Sequence, residues 1–270
     1  MTAEPIPSFQ PRLSACTSAI LADPATCALF LDIDGTLLEL APTPKSVRVP
    51  DGLLDLLERL NVIFDGAVAL ITGRLISEAD EILSPLRLPA SGVHGAELRK
   101  GRIREIERAT PALPPDLVET LRKLERRIPG VIAEPKGPGL AIHYRLAPTA
   151  EAEILSALKK ALAQHAGAFE ILPGKRLFEL VPSGLSKGTA LATLAALPAF
   201  RNRIPIMIGD DIGDEAAFAA AEGMHGFGLR VAGEHYNEAV ADFAGPRAVV
   251  NWLDQLARRL EPPQRLRSLR

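Results

Sequence analysis

The sequence predicts an α/β protein, a doubly wound, Rossmann-like parallel-sheet core with an inserted α+β cap domain. Short apolar runs alternate with longer stretches of helical spacing, the pattern of parallel strands joined by crossover helices. Strand runs end in aspartate or in Thr-Gly, at the sheet edge where open α/β folds bind ligands. Between residues 108 and 182 the texture changes to a helix followed by a hairpin, repeated once, which is too long for an ordinary loop.

In chain order, "ALFLDI" (28–33) reads as the first core strand and "DGLLDLLERLNVI" (51–63), with leucines at helical spacing, as the first crossover helix. "AVALIT" (67–72) is a strand, "LISEADEILSPL" (75–86) a helix capped by Ser77 or a neighbour, and "LPASGVHG" (88–95) a strand. In the insertion, "PALPPDLVETLRKLERRIPG" (111–130) is a proline-punctuated helix. "VIAEPKGPGLAIHYRL" (131–146) follows as two strands around a Gly-Pro turn. A second helix (149–166) precedes a second hairpin, "FEILPG" and "KRLFELVP" (169–182). The core then resumes with helix 186–197, strand 204–210 and helices 214–223 and 249–260, and "PPQRLRSLR" is a frayed tail. The expected division is a core of residues 1–107 and 183–270 and a cap of residues 108–182.

With 270 residues and 47% hydrophobic content, the chain has material for one large or two smaller cores. Thirty-one basic against 33 acidic residues give a net charge of −2, which offers no general attraction for nucleic acid or an anionic membrane. The N-terminus does not read as a secretory signal, and no run approaches the roughly 18 apolar residues of a membrane span. Two cysteines, Cys16 and Cys27, read as free thiols in a reducing compartment, so the expected location is cytoplasmic. A monomer is compatible with the sequence, which sets no oligomeric state.

Asp32 and Asp34 lie two apart at a strand end, so both carboxylates project to one side and reach one reaction centre. A plain acidic turn would carry the same pair, and partners elsewhere decide. "IMIGDDIGDE" (206–215) brings Asp210, Asp211 and Asp214 to the end of another strand. A solvated acidic loop with a helix N-cap accounts for Asp214. The whole cluster repels itself unless a divalent cation binds, and hard oxygen donors select Mg²⁺. Thr72 and the Gly73 amide in "ALITGR" are donors suited to phosphate oxygens. Lys187 in "GLSKGTA" puts a positive charge at a helix N-terminus.

In this order, D-x-D-G-T, Thr-Gly, Lys and G-D-D-x-x-D resemble the haloacid dehalogenase-like phosphatase superfamily. The resemblance implies that Asp32 is a nucleophile forming an aspartyl-phosphate, and that Asp34 is general acid and then base. It implies Thr72 and Lys187 as phosphoryl-holding groups. Mg²⁺ would be bound by the Asp32 carboxylate, the Asp34 carbonyl and Asp210, with Asp211 and Asp214 supporting the metal through water or orienting Lys187. "GVHGAEL" (92–98), "EPKGPGLAIHYR" and "GKRLFELVP" narrow the resemblance to the trehalose-6-phosphate phosphatases.

That resemblance implies Glu134, Lys136, Arg145, Lys175 and Glu179 as cap residues bonding sugar hydroxyls, although these residues could equally pair across a solvent face. It puts Asp32, Ile33, Asp34, Gly73, Arg74, His94 and Gly95 on the core side of the substrate. His94 is expected to shape its loop and His143 to be structural. The chain departs from the family's G-D-D-x-T-D-E by carrying Gly213 at the threonine position. The implied reaction is hydrolysis of trehalose 6-phosphate, a small-molecule partner, by a stand-alone phosphatase. The alternatives are sucrose 6-phosphate, glucosyl- or mannosyl-3-phosphoglycerate, a sugar phosphomutase and a non-enzymatic sugar-phosphate sensor.

Overall fold

The computed structural model describes residues 11–41, 46–109, 112–174 and 176–261. Five strands of the first sheet run parallel: β1 (Cys27–Leu31), β2 (Val68–Ile71), β3 (Ala90–Gly92), β10 (Ile204–Gly209) and β11 (Phe227–Arg230). Two short antiparallel strands, β4 (Glu97–Arg99) and β5 (Glu107–Arg108), extend it, giving the order β11-β10-β1-β2-β3-β4-β5. β1 lies between β10 and β2 with all five residues buried, which is why it reads as a continuous apolar run.

Helices α1 (Pro11–Ala22), α2 (Leu53–Ile63), α3 (Ile76–Ile82), α6 (Lys187–Ala195), α7 (Glu215–Gly223) and α8 (Pro246–Leu260) accompany this sheet. α1, which the sequence reading leaves unassigned, is tied down by a bond from the Trp252 indole to Thr17 Oγ1 (3.0 Å) and by Arg12 donating to the Gly228 carbonyl (3.0 Å). Ser77 does not cap α3. The N–H groups there are taken by Glu78, which accepts from Leu75 (3.3 Å), and by Glu97 of β4, which accepts from Ile76 (3.0 Å). Two carboxylates at a helix N-terminus serve its orphan donors better than a hydroxyl already inside the first turn.

A second sheet is antiparallel, in the order β6-β7-β9-β8: β6 (Ile132–Lys136), β7 (Gly139–His143), β8 (Phe169–Gly174) and β9 (Leu177–Pro182). Helices α4 (Pro115–Arg127) and α5 (Glu151–Leu162) cover one face, where Leu117, Leu121, Ile154 and Leu158 pack with Leu140, Ile142, Phe178 and Leu180. The register places Glu134, Ala141 and Glu179 in one row. Strand alternation turns that row to the face away from the helices. The chain stays with the first sheet through Ala109, whose N–H donates to Ala96 O (2.9 Å). The basic tail predicted to fray lies outside the described residues.

The strands are shorter than the sequence suggests, and the difference matters for chemistry. β1 stops at Leu31, so Asp32 to Asp34 leave the sheet edge as a loop. β3 stops at Gly92, and Val93–Gly95 form a single 3₁₀ turn in which His94 has φ +51°. Apolar periodicity reports burial, and Asp32, Ile33, Val93 and His94 are buried outside the strands.

Candidate active site

Asp32 is still held by the sheet, its N–H donating to Ile208 O (3.0 Å), while its buried carboxylate enters the crevice between β1 and β10. The chain then turns sharply. The Ile33 carbonyl accepts the N–H groups of Leu37 and Leu38 (2.9 Å each) and its side chain is buried, which leaves only its N–H for a substrate. Gly35 adopts φ +79°, and a Cβ there would stand 2.0 Å from Asp210 Oδ2. Only glycine lets the Asp210 carboxylate lie against this loop.

Lys187, at the first turn of α6, reaches both strand ends. Its Nζ is 2.9 Å from Asp32 Oδ1 and 2.7 Å from Asp214 Oδ1, and all three side chains are buried. Ser186 caps that helix, accepting from Thr189 N–H (3.1 Å), and Gly95 lies against the Ser186 carbonyl. α6 and α7 approach closely enough for Gly188 to face the Ala216 carbonyl, which brings Lys187 to the acidic loop. Burial opposes a charged lysine, but Asp214 and Asp32 outweigh it and hold Lys187 protonated well above its ordinary range. Burial likewise pushes the Asp32 carboxyl up, against the pull of Lys187.

Oxygens of Asp32, Asp210 and Asp214 lie within 4.8 Å of one another, so three buried carboxylates share one lysine and a surplus of negative charge. The Asp214 oxygens are already used, Oδ1 by Lys187 and Oδ2 by the N–H groups of Asp210 and Asp211 (3.1 Å each). A hard divalent cation fits this donor set, with Asp32 and Asp210 as its carboxylates and Asp214 as the group that aims them. Asp211 turns away, its half-exposed side chain accepting from the Ile212 N–H (2.7 Å). The Asp34 carboxylate also lies elsewhere, gripped by Arg74 through two bonds of 2.5 and 2.6 Å. Thr72 is buried at the end of β2, and its hydroxyl accepts from the Arg74 N–H (3.2 Å).

The second sheet brings its polar row to this crevice. Glu179 Oε2 pairs with His94 Nε2, and Glu179 Oε1 lies 3.6 Å from Lys136 Nζ. Lys136 donates to the Gly73 carbonyl (3.3 Å) and is 4.0 Å from Glu134, which pairs with His143 Nε2 at 2.9 Å. His94 therefore does more than shape its loop, because its pairing with Glu179 joins the two sheets. His143 stands at the edge of the cluster, and strand alternation from Ala141 is the signal that would have placed it there. Arg145 is not brought in: it is exposed in the turn that follows β7. Lys175 lies outside the described residues.

Burial raises the Glu179 carboxyl, but His94 and Lys136 overcome it and pull it down to about 2 from an ordinary 4.5. A depressed folded-state value stabilises the protein above pH 4.5, and that contribution is lost as pH falls toward 2. The shift corresponds to about 3 kcal/mol. Glu179→Gln is therefore expected to be less stable than the unaltered chain at pH 7, with the gap closing between pH 4.5 and 2. Urea unfolding across that window checks it, and a constant gap contradicts it.

Solved structures share this fold. The C-terminal domain of C. albicans trehalose-6-phosphate phosphatase superposes with a TM-score of 0.75 at 20% identity, over 90% of this chain and 97% of that one. The relatives in sequence define the class, a phosphoric monoester hydrolase. A family model described as trehalose-phosphatase matches residues 30–251. A Sinorhizobium fredii protein named "Probable trehalose-phosphate phosphatase" is 40% identical over 214 residues, 79% of this chain and 81% of its own. The trehalose-6-phosphate phosphatase of Escherichia coli is 36% identical over 239 residues, 88% of this chain and 89% of its own. The chain belongs to the trehalose-phosphatase family.

Proposed function

We propose that this protein hydrolyses trehalose 6-phosphate to trehalose and phosphate, as the last step of trehalose formation, with Mg²⁺ as cofactor. The observation that carries the reading is the same-face set Glu134, Lys136 and Glu179 laid against Gly73 and His94, beside Asp32 and Lys187. Alternating carboxylates and an ammonium suit a polyol, because each hydroxyl donates to one and accepts from the other. Two polar contacts, Lys136 to Gly73 and Glu179 to His94, join cap to core, and a cap held there excludes bulk water.

In the reaction, an Asp32 oxygen attacks phosphorus, the aspartyl-phosphate bond forms and the bond from phosphorus to the sugar oxygen breaks. Asp34 gives the leaving oxygen its proton, which requires it to exchange its contact with Arg74 for that oxygen. Asp34 then takes a proton from water as the water oxygen attacks phosphorus, and Asp32 is released as carboxylate. Thr72 and Lys187 hold the phosphoryl oxygens. When bound, Mg²⁺ supplies the positive charge that lets a carboxylate approach a phosphate dianion. Asp32, Asp210 and the Asp34 carbonyl would hold it, with Asp214 behind them.

Phosphate release from a panel of sugar phosphates, with Mg²⁺ and with EDTA, tests the proposal. Trehalose 6-phosphate should be turned over fastest, and the chelator should remove turnover. Equal or faster release from sucrose 6-phosphate or from glucosyl- or mannosyl-3-phosphoglycerate overturns the substrate and leaves the reaction class standing. An isomerised sugar phosphate in place of free phosphate would indicate a mutase. The buried thiols of Cys16 and Cys27 are free, which supports a cytoplasmic location. Among the described residues no helix is long and apolar enough to cross a membrane.

A further inference from the structure

The loop Asp210–Asp214 carries glycine at position 213 and is tied from two sides. From inside, Asp214 ties the N–H groups of Asp210 and Asp211. The other tether comes from outside the acidic stretch. The Tyr236 hydroxyl, on the irregular segment after β11, donates to Glu215 Oε1 at 2.6 Å, with the Asp211 carbonyl as a weaker second acceptor at 3.4 Å. Glu215 directly follows the loop as the first residue of α7, and its Oε2 accepts from Arg230 Nη2 (3.0 Å). That guanidinium lies over the Phe218 ring at 4.8 Å. Tyr236 is itself buried, and its carbonyl accepts from the Gly233 N–H (2.8 Å).

We propose that Tyr236, acting through Glu215 and Arg230, is a positioning residue for the cation-holding loop: it fixes the backbone from Asp211 to Asp214, and so the aim of Asp210 and Asp214, without touching ion or substrate. The proposal rests on the magnesium reading above. It predicts that cation affinity depends on a hydroxyl two elements away from the ligands, as outer partners of ligating groups commonly change affinity by about 10- to 100-fold.

Tyr236→Phe in the full chain removes one oxygen and keeps the ring packed against Phe218 and His235. Calorimetric titration with Mg²⁺ is expected to show Kd raised roughly 10-fold. The Mg²⁺ concentration for half-maximal phosphate release should rise in parallel, and kcat at saturating Mg²⁺ should stay within about twofold. Arg230→Met should shift Kd in the same direction by a smaller factor. A merely structural tyrosine would lower Tm equally with and without Mg²⁺, and that result, or a Kd within twofold of the unaltered chain, overturns the proposal. Failure of the unaltered chain to bind Mg²⁺ overturns the cofactor reading together with it.

Discussion

Asp32→Asn is expected to yield a folded protein that no longer turns over. Asparagine keeps the shape of the side chain but cannot form the acyl-phosphate, so kcat is expected to fall by on the order of 10⁴ or more at saturating Mg²⁺. Stability should not fall with it. In the native protein Asp32 is buried beside Asp210 and Asp214, and its carboxyl is pushed up because burial and like charge disfavour its ionised form. Removing one of three crowded carboxylates relieves that repulsion, and Lys187 keeps Asp214 as partner. Thermal unfolding with a chelator present is therefore expected to give a Tm no lower than that of the unaltered chain. A Tm several degrees lower would assign the lost activity to misfolding, and activity above about 1% would remove Asp32 from the nucleophile's role.

Lys187→Met is expected to do the opposite, removing activity and stability together. The lysine is the one ammonium or guanidinium group placed by the described ion pairs between Asp32 and Asp214, and it is buried with both of them. Taking away one partner of a buried ionic group leaves the others uncompensated, at a cost of about 3 to 5 kcal/mol. For a chain of this size that is roughly a 10 °C fall in Tm. A cation that binds only the folded state then has more repulsion to relieve, so added Mg²⁺ should raise the Tm of Lys187→Met by more than it raises that of the unaltered chain. Equal gains would mean that lysine and cation do not face the same carboxylates.

The elements with the strongest local signals were readable in advance. Buried parallel strands such as β1 and β10 are apolar throughout, and both hairpins of the second sheet show alternation broken by Gly or Pro. The strands β4, β5 and β11 are only two to four residues long, too short for a period to show, and α1 has a weak apolar face within a proline-bounded segment. The separation of roles within the acidic loop was also hidden. Asp210, Asp211 and Asp214 read as one cluster, yet one lies against Gly35, one bonds the neighbouring N–H and one holds Lys187.

By itself the sequence determined the candidate residues and their order along the chain. Asp32 and Asp34 follow a buried strand, Lys187 opens a helix, and Asp210 closes another strand, because strand ends and helix starts are local events written in neighbouring residues. Only the tertiary structure decided who meets whom. His94 and Glu179 are 85 residues apart, Arg74 and Asp34 are 40 apart, and Arg145 stays out although it sits two residues from His143. Such contacts depend on sheet register and on how closely α6 packs on α7, and both are fixed by the sum of many small burial terms that no short stretch contains.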